Sequence, residues 1–333
     1  MYNETVKRFW FALLSIILLL PSCVWAADDF KLTLSPVFLN AATDPGKLVT
    51  SNVKVTNGGA QEERLTIGVM KFRAFDDSGR PELLEMEPND VYAQWISFSP
   101  PELVLAPGRS EQVAVTFAPP AEAALGYYYA ITFRRAGAPA APTGQETQLL
   151  GTAAILALLE VNSPDTARQL AAVEFSTDRR WYDFLPVKFN VKLQNTGNIH
   201  LAPRGNIFID KGAKTDLAIL DINKAYGNIL PGADRSFSTD WVAGFPVRTD
   251  GELKWNFNDL SKLRWGKYTA HLVMVYDNGQ QDVPVEAAVS FWVIPWQIIV
   301  ALLVIVLLLL LGVRSFFKGL RARFRRQPKS LQP

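Results

Sequence analysis

The chain has 333 residues, 49% of them hydrophobic, and its 34 Lys and Arg nearly balance its 32 Asp and Glu. That balance, with no basic cluster in the body of the chain, excludes a nucleic-acid binder, because a phosphate backbone demands clustered Lys and Arg. The single cysteine, Cys23, excludes an internal disulfide and a cysteine metal site.

In chain order, Lys7 and Arg8 precede an apolar run from Phe9 to Leu20, followed by small residues around Ala26 and Ala27. A charged segment, an apolar segment and a Val24-Trp25-Ala26 cleavage context predict a signal peptide over 1–26. An uncleaved N-terminal anchor is the plain alternative. A second is acylation of Cys23, since Leu20-Pro21-Ser22-Cys23 loosely resembles a lipobox.

The next 265 residues or so read as strands. Val187, Phe189, Val191 and Leu193 alternate with Lys188, Asn190, Lys192 and Gln194, and period-two runs recur around Leu65–Val69, Val113–Phe117 and Val283–Phe291. Turn residues separate the runs: Asn57-Gly58-Gly59, Asp77-Ser78-Gly79, Pro107-Gly108, Thr196-Gly197-Asn198, Pro231-Gly232 and Asp277-Asn278-Gly279. Gly151 to Val161 suits a helix or a buried strand equally, and 137–144 reads as a long hairpin loop. The order of signals occurs twice: Asn57, Pro107-Gly108 and Gly126-Tyr127-Tyr128, then Asn195, Pro231-Gly232 and Gly266-Lys267-Tyr268. The expectation is an all-β protein of two Ig-like antiparallel sandwiches, over 27–163 and 164–290, with the boundary at Asn162-Ser163-Pro164-Asp165.

Phe291 to Val313 carries no charge, and Gln297 is its only strongly polar side chain. As a helix at about 1.5 Å per residue it reaches roughly 35 Å, enough to cross a hydrocarbon core of about 30 Å. A transmembrane helix is therefore expected over 291–313, with Trp292 and Trp296 in the interface at its entrance and Arg314 and Lys318 at its exit. The segment 314–333 adds Arg321, Arg323, Arg325, Arg326 and Lys329 with no acid, which predicts a cytoplasmic tail that favours anionic lipid head groups, and an ectodomain outside. With the tail and Glu4, Lys7 and Arg8 set aside, 25 basic residues face 31 acidic ones, so the ectodomain is acidic, net about −6.

Signal peptide, two Ig-like domains with Pro-Gly turns, one span and a basic tail resemble the WxL-interacting proteins of Gram-positive cell surfaces. The likeness rests on Leu34-Ser35-Pro36-Val37, Pro45-Gly46 and Val53 to Asn57 in the first domain, and on Val191 to Asn195, Leu230-Pro231-Gly232 and Gly266-Lys267-Tyr268 in the second. It implies binding of peptidoglycan through the first domain and of a surface or host protein through the second. The chain departs from that pattern at Gly126 to Ile131, where a Gly-Gly-Ile is usual.

Catalytic motifs are missing from the sequence: it has only His200 and His271, and no HExxH, GxSxG or phosphate-binding loop. No cofactor or metal site is expected. Glu85, Glu87 and Asp90 lack the Asp-x-Asp-x-Asp-Gly order of a calcium loop and read as a solvated acidic stretch. The partner-binding candidates are aromatic: Trp241, Trp255 and Trp265 in or near loops, set against the reading that they fill a core that no disulfide braces. In the first domain Tyr128, Ala130, Thr132 and Arg134 form one row, which places Tyr128 and Arg134 on an outward face with Tyr127 and Tyr129 inside. The function read from this is a non-enzymatic, single-pass membrane protein of the cell envelope, whose paired domains bind a surface protein or a wall polymer. The alternatives are a carbohydrate-active enzyme with an Ig-like accessory domain, and a membrane-tethered chaperone that acts by strand donation.

Overall fold

The computed structural model describes residues 30–137 and 152–324. The expected signal peptide over 1–26 with Cys23, all but the first residue of the expected loop over 137–144, and most of the basic tail lie outside the described residues. The protein is all-β: two Ig-like sandwiches followed by one apolar helix. Every period-two run of the sequence is a strand, because a chain that buries alternate side chains satisfies its backbone only by pairing with neighbours.

In the first domain, one sheet has the order β1 (Leu32–Ser35), β3 (Val49–Asn57), β8 (Ser110–Phe117) and β6 (Ile96–Ser99). The facing sheet runs β2 (Phe38–Thr43), β10 (Thr152–Val161), β9 (Leu125–Arg135), β4 (Glu63–Ala74) and β5 (Pro81–Leu84), and β7 (Glu102–Leu105) also pairs with β4. Between them lies a core of Val53, Val55, Val113, Val115, Phe117, Tyr129, Ile131 and Phe133, all with no exposed surface. The segment that suited helix or strand is the strand β10, which pairs antiparallel with β9.

The second domain repeats the plan. One sheet is β11 (Leu170–Thr177), β13 (Val187–Asn195) and β16 (Asp234–Trp241). The other is β12 (Trp181–Tyr182), β20 (Asp282–Val293), β19 (Gly266–Asp277), β14 (Arg204–Lys211) and β15 (Lys214–Ile222), with a small hairpin of β17 (Val247–Thr249) and β18 (Glu252–Lys254) beside them. In both domains the N-terminal segment switches sheets, and its second strand runs parallel to the last strand: β2 with β10, and β12 with β20.

The repeated turn signals have one physical cause. Asn57 is fully buried; its Nδ2 donates to the carbonyls of Gln61 (2.7 Å) and Leu105 (2.8 Å), and its Oδ1 accepts from the N–H of Gly59 (2.9 Å). Asn195 makes the same three bonds, to Ile199 (2.7 Å), Ile229 (2.9 Å) and Gly197 (2.9 Å). The main chains of Asn57 and Asn195 accept from Gly108 (2.8 Å) and Gly232 (2.9 Å), each in a positive-φ turn after its proline. Each Asn thus ties the end of a central strand to the Pro-Gly turn that precedes the next.

The expected start of the span moves. The strand β20 continues through Val293, and Phe291 and Val293, with no exposed surface, belong to the second core. In the sequence a buried strand and an apolar span run together because both are apolar. The helix α1 is Trp296–Phe324, and its stretch Trp296–Lys318, of mean hydropathy 3.0, is long and apolar enough to cross a membrane. No residue of its most apolar window is buried inside the protein.

Candidate functional site

The outward row of the first domain faces the second domain. Tyr128 is half-buried, edge-on to Phe72 (6.1 Å) and to His200 (5.8 Å), and belongs to an apolar patch of Phe72, Ala130, Leu158 and Leu230 that draws on both domains. The expectation of Tyr128 as an open contact residue is therefore corrected: its face is outward from its own sandwich but covered by the other. Arg134 lies half-buried at the far end of the row, opposite Thr152 and Thr66.

Polar contacts lock the same junction. The turn between β4 and β5 brings the Asp77 carbonyl to the N–H of Ser236 (2.6 Å) and the Asp77 carboxylate to the Ser236 hydroxyl (2.8 Å). Lys192 bridges Asp77 (3.3 Å) and Asp234 (3.1 Å). In the connecting segment, Arg168 pairs with Glu160, and Asn198 holds the backbone of Ala167 (2.7 Å) and Asp165 (2.8 Å). Asn162 to Asp165 lie in this segment, since β10 ends at Val161 and β11 begins at Leu170.

Beside the locked patch the domains part to leave a cleft of about 250 Å3. Its apolar floor includes Phe38, Leu156 and Leu158 of the first domain and Leu230 of the second, and arginines 73, 80 and 235 stand around it. Arg73 and Arg80 are held by Glu82 (2.6 Å) and Asp76 (3.0 Å). Arg235 lies against Gly79 of one domain and Gly227 of the other, where an added Cβ would come within 2.5 Å of its guanidinium. Its Nη1 donates to the Asn228 carbonyl (2.6 Å), while its Nε is buried with no hydrogen-bond partner. The strand β2 borders the cleft as the outer strand of its sheet, and among the described residues nothing pairs with its free edge.

No protein-family model matches the chain, and no curated protein of similar sequence is found. Solved structures do resemble it. The class 5 fimbriae chaperone CfaA is 13% identical, covering 78% of this chain and 99% of that one, with a TM-score of 0.35. The Acinetobacter baumannii CsuC–CsuE chaperone–tip subunit complex gives 12%, 77%, 97% and 0.34, and the Escherichia coli chaperone DraB 14%, 78%, 98% and 0.32. The likeness is one of strand layout.

Burial at the junction gives it a pH dependence. Desolvation, aided by the nearby Arg168 charge, lowers the His200 pKa from 6.5 to about 4. The folded state therefore holds His200 neutral, and the unfolded chain protonates it first as pH falls. The stability this group permits is complete above about pH 6.5 and is lost towards pH 4, on the order of 3 kcal/mol in all. Unfolding free energies measured at pH 7.5 and 4.5 should differ less for His200→Leu than for the wild type. An identical pH slope in the two proteins contradicts this account.

The remaining candidates separate. Trp241 is fully buried against Tyr268 (5.2 Å) and Phe291 (6.1 Å), a core residue and not a loop anchor. Trp255 and Trp265 are exposed, the first stacked on Phe257 and the second under the Lys211 ammonium at 4.6 Å. Trp292 stacks on Trp181 (5.5 Å), and Trp296 opens α1, with Arg314 and Lys318 exposed towards its other end. Glu87 and Asp90 both hold Lys71 (2.9 and 2.8 Å). His271 points outward, 3.5 Å from Asp210. The sequence reading missed the cleft, whose residues come from four separated stretches with no shared local signal.

Proposed function

We propose that the chain is a non-enzymatic, single-pass membrane protein of the cell envelope whose two-domain body holds an extended segment of a protein partner. The observation that carries this reading is the free edge of β2 running into an apolar, arginine-rimmed cleft. Leu39, Ala41 and Thr43 face the core, leaving Phe38 and Asn40 outward, and Val37 just before the strand is 78% exposed. An added strand gains main-chain hydrogen bonds along such an edge, and the floor of the cleft accepts an apolar side chain from it. The apolar helix and the cations after Val313 support an anchor with the tail inside and the body outside. A tethered chaperone would use the same edge and then release its client, whereas a holding protein would retain it. Binding of a wall polymer, implied by the family resemblance, has no such edge requirement.

The test is capture of envelope proteins by the full chain in mild detergent, compared with Phe38→Asp. The substitution places a charge in the apolar floor of the cleft on a side chain that is 37% exposed, so the fold should be kept and specific capture lost. Equal capture by the variant overturns the reading. Retention of wall polymer alone by both forms favours the polymer instead.

A further inference from the structure

Seven tryptophans lie among the described residues, and all five that are exposed sit at one end of the second domain. They are Trp181, Trp255, Trp265, Trp292 and Trp296, joined by Phe257, which is 72% exposed. This is the end from which α1 leaves. Trp292 is the next-to-last residue of β20 and lies opposite Trp181 on β12; Trp265 adjoins Gly266, which pairs with Val293. Trp255 packs edge-on to Phe184 (6.4 Å) and Phe245 (5.7 Å), and Phe184 follows Asp183.

The join to the helix is short and pinned. Only Ile294 and Pro295 separate β20 from α1, and the Ile294 N–H donates to the Tyr182 carbonyl (2.7 Å). The Asp183 carboxylate accepts from Arg248 Nη2 (2.7 Å) and from Gln297 Nε2 (3.1 Å) in the first turn of the helix. A body fixed in this way cannot swing clear of the surface its helix enters. Large exposed aromatic rings at that level match the head-group region, where Trp is favoured because it offers an apolar body and a polar N–H.

We infer that this aromatic end of the second domain rests in the outer head-group layer of the same bilayer that α1 crosses, so that the two-domain body stands on the membrane as a footed unit. The inference rests on the membrane anchoring proposed above. It assigns Trp255, Phe257 and Trp265, which lie off the helix, to lipid contact.

The experiment reconstitutes the full chain into phosphatidylcholine vesicles with and without lipids brominated near the head group. Bromine quenches tryptophan only at close range. The wild type is compared with the double variant Trp255→Phe, Trp265→Phe, which keeps the aromatic surface but removes two reporters. If the end is seated, these two tryptophans contribute emission that is lost in brominated vesicles, so the quenchable emission falls in the variant. If quenchable emission is the same in both proteins, the end stands off the bilayer or is covered by protein, and the inference is overturned. A carbonate wash distinguishes the two failures: a chain that washes off overturns the anchor as well, whereas a retained chain with unquenched Trp255 and Trp265 overturns the foot alone.

Discussion

Trp241→Ala is expected to destabilise the second domain by about 3–5 kcal/mol, the range for truncating a buried large aromatic. Trp241 has no exposed surface and sits where β16 ends, edge-on to both Tyr268 and Phe291, which stack on each other at 5.7 Å. Removing the indole leaves a void bounded by two sheets, and strands held by hydrogen bonds collapse into such a void only in part. Trp241→Phe keeps one ring and removes an indole N–H that has no partner, so its loss should be clearly smaller. Trp255→Ala, at a residue that is 48% exposed, should cost less again. Chemical denaturation of the three variants decides the matter, and a Trp241→Ala protein as stable as Trp255→Ala would mean that Trp241 is not the centre of this core.

The second large effect is expected at the paired asparagines. In Asn195→Ala the carbonyl of Ile199 loses its donor and the N–H of Gly197 its acceptor, while the carbonyl of Ile229 keeps only the Leu201 N–H (3.0 Å). Each buried group left unpaired costs about 1–3 kcal/mol, so a total of about 3 kcal/mol or more is expected even after partial rescue by water. Asn57→Ala should act alike in the first domain, through Gln61, Leu105 and Gly59. Asn195→Asp separates shape from bonding: it keeps the volume and the acceptor but removes both donated bonds and buries a charge, so it should be at least as damaging as Ala. Urea unfolding reads all three. An Asp variant close to wild-type stability would show that the donated bonds do not hold the Pro-Gly turn.

Those asparagines also show how far local sequence reached. The repeated order Asn, Pro-Gly, Gly-x-Tyr announced two copies of one plan, because a turn that needs positive φ and a strand end that needs capping are local demands. The same holds for the alternation along β13 and β20, where a period of two follows from the pleat itself. The apolar helix and its cations followed from composition alone.

At Tyr128, Trp241 and Phe291 the structure departs from the sequence pattern for one reason. Alternation says which side chains share a face, but not what covers that face. Tyr128, Ala130 and Thr132 do share the face turned away from their own core, and only the tertiary structure brings His200 and Leu230 across it. Trp241 and Trp255 look alike in sequence, yet one closes a core and the other stands at the domain's end, because the sheets that bury Trp241 join strands from four distant parts of the chain. Phe291 and Ile298 are equally apolar, and only the pairing of β20 with β19 assigns the first to a sandwich and leaves the second to the helix. Sequence thus determined most of the elements, their faces and the apolar helix. The long-range contacts, whose closure entropy no local pattern encodes, decided the domain junction, the cleft with its free strand edge, and the grouping of exposed aromatic residues at one end of the second domain.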